Sequence, residues 1–154
     1  MAEIKYIVTV KYPLTIVLTC IWIGFVCAIS FMEAWLKFQA PGITLELGLG
    51  IGRLVFNALN KVELVLGLGI IFDLILTKKI EIDWKYLFLI FALIILIMQT
   101  IYALPALDKR AEMHISGLEV PSSNLHFYYV GMEFIKVVSL FIFGVKLFKK
   151  EKEL

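Results

Sequence analysis

The chain has 154 residues, of which 61% are hydrophobic, with a mean hydropathy of +0.92. An ordinary soluble domain is roughly half apolar, and a water-soluble core of this size cannot hide several long oily runs. The composition therefore predicts an all-α polytopic membrane protein, one domain over residues 1–154. The formal net charge of +2 is too small to suggest nucleic acid, and the basic residues fall at segment boundaries instead.

Four stretches meet the requirement of about 20 mostly apolar residues for a membrane helix. They are Pro13–Trp35, Leu54–Leu76, Tyr86–Leu104 and Leu125–Phe148, and together they predict a four-helix antiparallel transmembrane bundle. The first is too long for the core of a signal peptide and lacks a small-x-small cleavage site, so it is read as retained. Its two cysteines, Cys20 and Cys27, lie too far apart along one helix to bond and read as packing or lipid-facing groups.

Between the first two segments Pro41-Gly42 marks a turn. Gly48 and Gly52 then form a small-xxx-small pair that would admit a close helix, a candidate oligomer contact. The link Thr77–Lys85 is short and charged, which makes the second and third helices antiparallel neighbours. Asp73 nearby is expected to pair with Lys78 or Lys79. Pro105 is expected to end the third helix, leaving Ala106–Asn124 as the longest connection, with a solvated His114 and with Ser122 or Ser123 as N-cap of the fourth helix.

Basic residues set the orientation. Nine (Lys5, Lys11, Lys78, Lys79, Lys85, Lys146, Lys149, Lys150 and Lys152) fall on one side and four (Lys37, Arg53, Lys109 and Arg110) on the other. The positive-inside rule places both termini in the cytoplasm. Trp35 and Trp84 fit aromatic belts at opposite interfaces. The expected location is multi-pass in a membrane, the bacterial inner membrane.

Polar residues inside these segments carry the functional signal, because ionisable groups in hydrocarbon are costly and mark functional sites by default. The second segment carries Arg53, Asn57, Asn60 and Glu63 on one stripe. The fourth carries His126, Tyr129, Glu133 and Lys136 on another. Glu33, one turn from Lys37, and Gln99 with Tyr102 add to the same outer half. Glu63 and Lys136 fall near the bilayer midplane. Three acids (Glu33, Glu63, Glu133) balance three bases (Lys37, Arg53, Lys136), so paired burial is affordable where a lone ion is not.

Two readings stay open. The stripes line a polar, outward-facing pocket for a small polar or amphiphilic molecule or an ion, or they are ion-pair glue within a bundle. A cation held by Glu63, His126 and Glu133 is the weaker metal reading, since no His-x-x-x-His or Glu-x-x-His pairing is present. The functional classes are accordingly a binding or transport protein, a membrane enzyme with Glu63 or Glu133 as acid–base group, and a structural subunit of a membrane complex. Partners would be the lipid bilayer, a small ligand, and either further copies of the chain or a larger membrane complex.

The run from Arg53 through Asn57 and Asn60 to Glu63 resembles the arginine–asparagine–glutamate helix of the membrane-associated eicosanoid and glutathione metabolism proteins, which have four membrane helices and assemble as trimers. The resemblance covers about eleven residues and departs at Phe56, where a second arginine belongs. It implies glutathione held by Arg53, Asn60 and Glu63. More broadly, the chain resembles the small bacterial four-helix membrane proteins whose functions are unassigned.

Overall fold

A proline that would break a helix interior is harmless in the first turn, where its missing N–H has no partner to lose. Pro13 opens the first helix in this way, directly after the buried Tyr12. A computed structural model describes residues 6–77 and 83–152. The order of elements is β1 (Tyr6–Val10), α1 (Pro13–Gln39), α2 (Leu45–Leu76), α3 (Lys85–Ile115), α4 (Leu125–Lys146) and β2 (Phe148–Lys152). α1 packs on α2 and α4, α3 packs on α4, and the far end of α3 packs on α2, which closes a ring of four helices. β1 and β2 pair antiparallel, Tyr6 opposite Lys152, so the first and last described segments meet at one end of the bundle.

Among the described residues, three helices are long and apolar enough to cross a membrane: α1, α3 and α4. α2 is long enough at 32 residues, but it carries Glu46, Arg53, Lys61, Glu63 and Asp73 and is not one of the three. Large apolar side chains cover the outside of the bundle, among them Leu68 on α2 and Phe141 on α4, both more than 60% exposed. Outward apolar surface on this scale suits lipid rather than water. Trp35 and Trp84 are exposed at opposite ends of the bundle, and Lys146 lies 3.7 Å over the Trp84 ring.

The largest correction to the sequence reading concerns Pro105. α3 does not end there but runs on to Ile115, so the connection to α4 shrinks to Ser116–Asn124. The cause is the π-helical turn Gln99–Ala103 just before it. Its i→i+5 bonding resets the hydrogen-bond ladder, and Pro105 then falls in the first turn of a fresh α-helical segment. A second π-helical turn, Cys27–Glu33, interrupts α1. With 31 and 32 residues, α3 and α2 are each about 46–48 Å long. That is longer than the hydrocarbon thickness of about 30 Å, and the far end of α3 packs on α2 to form a paired head at the end of the bundle away from β1 and β2, called outer for its place in the bundle.

Local chemistry accounts for the ends of the helices. Gly42 takes φ +80° in the turn after α1, as the Pro41-Gly42 signal predicts, and the Thr44 hydroxyl accepts the Leu47 N–H at the start of α2. Before α4 the Ser123 hydroxyl accepts the Leu125 N–H, while Asn124, without a side-chain bond, holds the N-cap position. Asp73 takes a role the sequence did not reveal. Its Oδ2 accepts both the Thr15 N–H (3.0 Å) and the Thr15 hydroxyl (2.6 Å), capping α1 from the neighbouring helix. Lys78 and Lys79, its expected partners, lie outside the described residues. At the start of α3 the Lys85 N–H and then its ammonium hold the Asp83 carboxyl below the usual carboxylate range.

The small-xxx-small pair is used inside the chain. A Cβ at Gly48 would overlap the Phe38 ring, and one at Gly52 would lie 3.2 Å from the Lys37 ammonium. These glycines let the end of α1 fold down onto α2, so this surface is not free for a second chain.

Candidate functional site

The polar residues resolve into two layers. The inner one is centred on Lys136, ten residues or about 15 Å along α4 from Lys146, half a hydrocarbon thickness. Glu63 from α2 and Glu133 from α4 flank it, and all three are 0% exposed. Lys136 Nζ contacts Glu63 Oε1 and lies 3.0 Å from Glu133 Oε2. It also donates to Gln99 Oε1 at 2.8 Å, and Gln99 Nε2 donates to Glu133 Oε1 at 3.1 Å. From α1, Trp22 Nε1 donates to Glu63 Oε1 at 2.7 Å. All four helices thus contribute to one buried polar knot. Two carboxylate oxygens in it, Glu63 Oε2 and Glu133 Oε2, make no hydrogen bond; the latter faces Lys136 without hydrogen-bond alignment.

The outer layer sits in the head. Arg53 donates to both oxygens of Asp108, Nε to Oδ1 at 2.6 Å and Nη2 to Oδ2 at 3.0 Å, the two-point fit that suits guanidinium to carboxylate. Glu112 adds a longer contact of 3.9 Å to Nη2. Lys37 bonds Glu33 one turn back at 3.2 Å, and its ammonium lies 5.5 Å from the Phe38 and Phe56 ring centres. Arg110 donates to the Pro121 carbonyl and ties the α3–α4 connection to α3.

At the level of the outer layer lies a partly open cavity of about 120 Å³. Its wall is almost wholly apolar, built from Phe38, Leu49, Phe56, Leu104, Leu107 and Ala111, with Tyr129 among them. Phe56 and Tyr129 meet edge to face, ring centres 5.5 Å apart. Lys37, Arg53 and His126 are the basic groups on its wall. A shallower depression on the other side of Arg53 is lined by Gly50, Leu54, Asn57 and Asp108.

The sequence-derived residues therefore divide. Arg53, His126 and Tyr129 line the cavity. Glu63, Glu133, Lys136 and Gln99 are brought together, as their stripes implied, but as a packed knot and not as the wall of a polar pocket. Each finds its partners on a facing helix, so none is left pointing into the cavity. Asn60 donates to the Thr100 hydroxyl and Asn57 to the Arg53 carbonyl, both bonds internal to the bundle. Glu33 serves Lys37. Tyr102 is 72% exposed and does not share the facing of Gln99. The wide π turn that begins at Gln99 rotates it away from the bundle.

Sequence reading missed Trp22, Phe38, Asp108 and, as a cavity residue, Lys37. Only Lys37 left a signal, its four-residue spacing from Glu33. Asp108 stood beyond a proline that seemed to end the helix.

Among the described residues, no group of three or more His, Cys, Asp or Glu is placed to hold a metal ion. No family model, curated protein or solved structure matches the chain.

Proposed function

We propose that all four helices cross the bilayer with both termini cytoplasmic, and that the chain binds part of a small amphiphilic molecule in the outer cavity. The observation that carries this reading is the cavity itself: an apolar pocket, open on one side, with Lys37 on its wall. Arg53 already spends Nε and Nη2 on Asp108, whereas Lys37 has one carboxylate partner and two aromatic faces. Lys37 is thus the group to meet a polar or anionic head. An apolar cavity of about 150 Å³ accepts a benzene-sized body, so a space of about 120 Å³ holds a ring or short chain segment, with the rest of the molecule leaving through the open side.

The β1–β2 pairing supports an even number of crossings, because it keeps the first and last described segments at one end of the bundle. The excess of basic residues at that end assigns it to the cytoplasm. Cysteines introduced at Ser122 and Lys150 test this with a membrane-impermeant thiol reagent in a Cys20→Ser/Cys27→Ser background. Intact cells are expected to label at position 122 only, and labelling at 150 alone would reverse the orientation.

Binding is tested by thermal shift in detergent against a panel of amphiphiles sharing one short chain but differing in head: carboxylate, phosphate, ammonium and neutral. Carboxylate or phosphate heads are expected to raise the midpoint. A ligand at a hundred times its Kd stabilises by about 2.7 kcal/mol. Ala111→Phe, which fills the cavity, should abolish the shift, and Lys37→Met should remove the preference for anionic heads. A shift unchanged in Ala111→Phe would place binding elsewhere. A structural subunit of a membrane complex is the second reading, favoured by how fully Arg53 and Lys136 are paired within the chain.

A further inference from the structure

The charges of the inner layer do not balance. Two carboxylates and one ammonium leave a charge of −1 with all three residues 0% exposed, about halfway along α4. The donors reaching the triad are neutral: Trp22 from α1 and Gln99 from α3. On α2, Asn60 one turn outward is committed to Thr100. On α4 the remaining titratable neighbour is Tyr129, whose hydroxyl is turned to Glu133 and whose ring lines the outer cavity. Of the other charges, Lys61, two residues before Glu63 on α2, is exposed, Asp73 holds Thr15, and Lys37, Arg53, Asp108 and Glu33 pair among themselves in the outer layer. An uncompensated ion in such a place costs several kcal/mol, and buried groups neutralise rather than bear that cost.

Independently of the charge count, two oxygens of the triad are without a hydrogen bond. Glu63 Oε1 accepts from Trp22 and contacts Lys136, and Glu133 Oε1 accepts from Gln99; Glu133 Oε2 lies 3.0 Å from the Lys136 ammonium without hydrogen-bond alignment, and Glu63 Oε2 accepts from nothing. Buried acceptors left empty are uncommon. A carboxyl oxygen that bears a proton becomes a donor instead.

We propose that the Glu63–Lys136–Glu133 triad is a proton-binding site that takes up one proton from solvent beyond that of its lysine, on Glu63 Oε2. Uptake converts one carboxylate to a carboxyl and the triad from −1 to neutral, with no other bond made or broken. Tyr129 stands between this site and the outer cavity, so the proton has a polar neighbour on the side open to solvent.

Infrared spectroscopy of the full chain in lipid nanodiscs at pH 7 reads this directly. The wild type is expected to show one protonated-carboxyl carbonyl stretch that shifts in D₂O. Glu63→Gln leaves Glu133 paired with Lys136, and Glu133→Gln leaves Glu63 paired with it. Each variant is neutral without an added proton, so each should lose the band entirely. Lys136→Met removes the ammonium and should raise the amplitude about twofold, since both carboxyls must then be neutral. Absence of the band in the wild type, or its survival in either Gln variant, overturns the proposal. The wild-type spectrum decides the matter even if Lys136→Met does not fold.

Discussion

Lys136→Met is expected to be among the most damaging single substitutions in the chain, lowering stability by about 3–5 kcal/mol, because removing one partner of a buried ion pair strands the other. Lys136 is the hub of the inner layer, meeting Glu63, Glu133 and Gln99. Without it two buried carboxyls face each other with only the neutral donors Trp22, Gln99 and Tyr129. The same physics predicts a rescue. The triple variant Glu63→Gln/Lys136→Met/Glu133→Gln replaces every charge with a neutral group of similar shape, and should recover most of the loss. Replacing a whole buried ion cluster is often close to neutral, whereas removing one member is not. Reversible unfolding in mixed micelles measures both. A triple variant as unstable as Lys136→Met alone would show that shape and packing at this level, rather than charge, carry the effect.

The inner knot was legible because helical phase survives in α4. His126, Tyr129, Glu133 and Lys136 recur at spacings of three and four, and the inner three are buried together. Charge balance set three acids against three bases without saying which would pair, and only depth along the helices placed Glu63 level with Lys136. What the sequence could not show is where a polar residue is already satisfied. Asn57 lines only the shallow depression beside Arg53, and its amide is already on the Arg53 carbonyl, a bond that a short side chain with a donor can make four positions on. Tyr102 failed for a different reason. Counting at 100° per residue assumes an unbroken α-helix, and the π turn Gln99–Ala103 breaks that phase between Gln99 and Tyr102. The same turn carries α3 past Pro105, and so hides the outer head, Asp108 included, from a reading that stops helices at proline. Arg53 was accordingly assigned to face the cluster of acids below it, when its partner lies beside it on the extended α3. In α1 the polar knot is reached by an aromatic, Trp22, which hydropathy counts simply as apolar.

Trp22 gives the other large effect. Its ring is 0% exposed and fills the space against Gly67 of α2, where an added Cβ would meet ring carbons at 3.3–3.4 Å. Its N–H is also the neutral donor to Glu63. Trp22→Ala removes both functions. Trp→Ala in a core costs about 3–5 kcal/mol, and the lower part of that range applies here. In a bilayer the unfolded helices already sit in an apolar medium, so lost contacts and the residual void dominate over transfer from water. Trp22→Phe separates the two functions. It keeps most of the apolar volume and deletes the donor, and a lost hydrogen bond to a charged acceptor is worth about 1.5–3 kcal/mol. The expected order is therefore wild type, then Trp22→Phe, then Trp22→Ala, each step resolvable by unfolding in mixed micelles. If Trp22→Phe matched the wild type, the indole N–H would contribute nothing to holding Glu63, and Lys136 alone would carry that carboxylate. If Trp22→Phe were as costly as Trp22→Ala, the hydrogen bond would outweigh packing and polar bonding would be the main tie between α1 and the rest of the bundle.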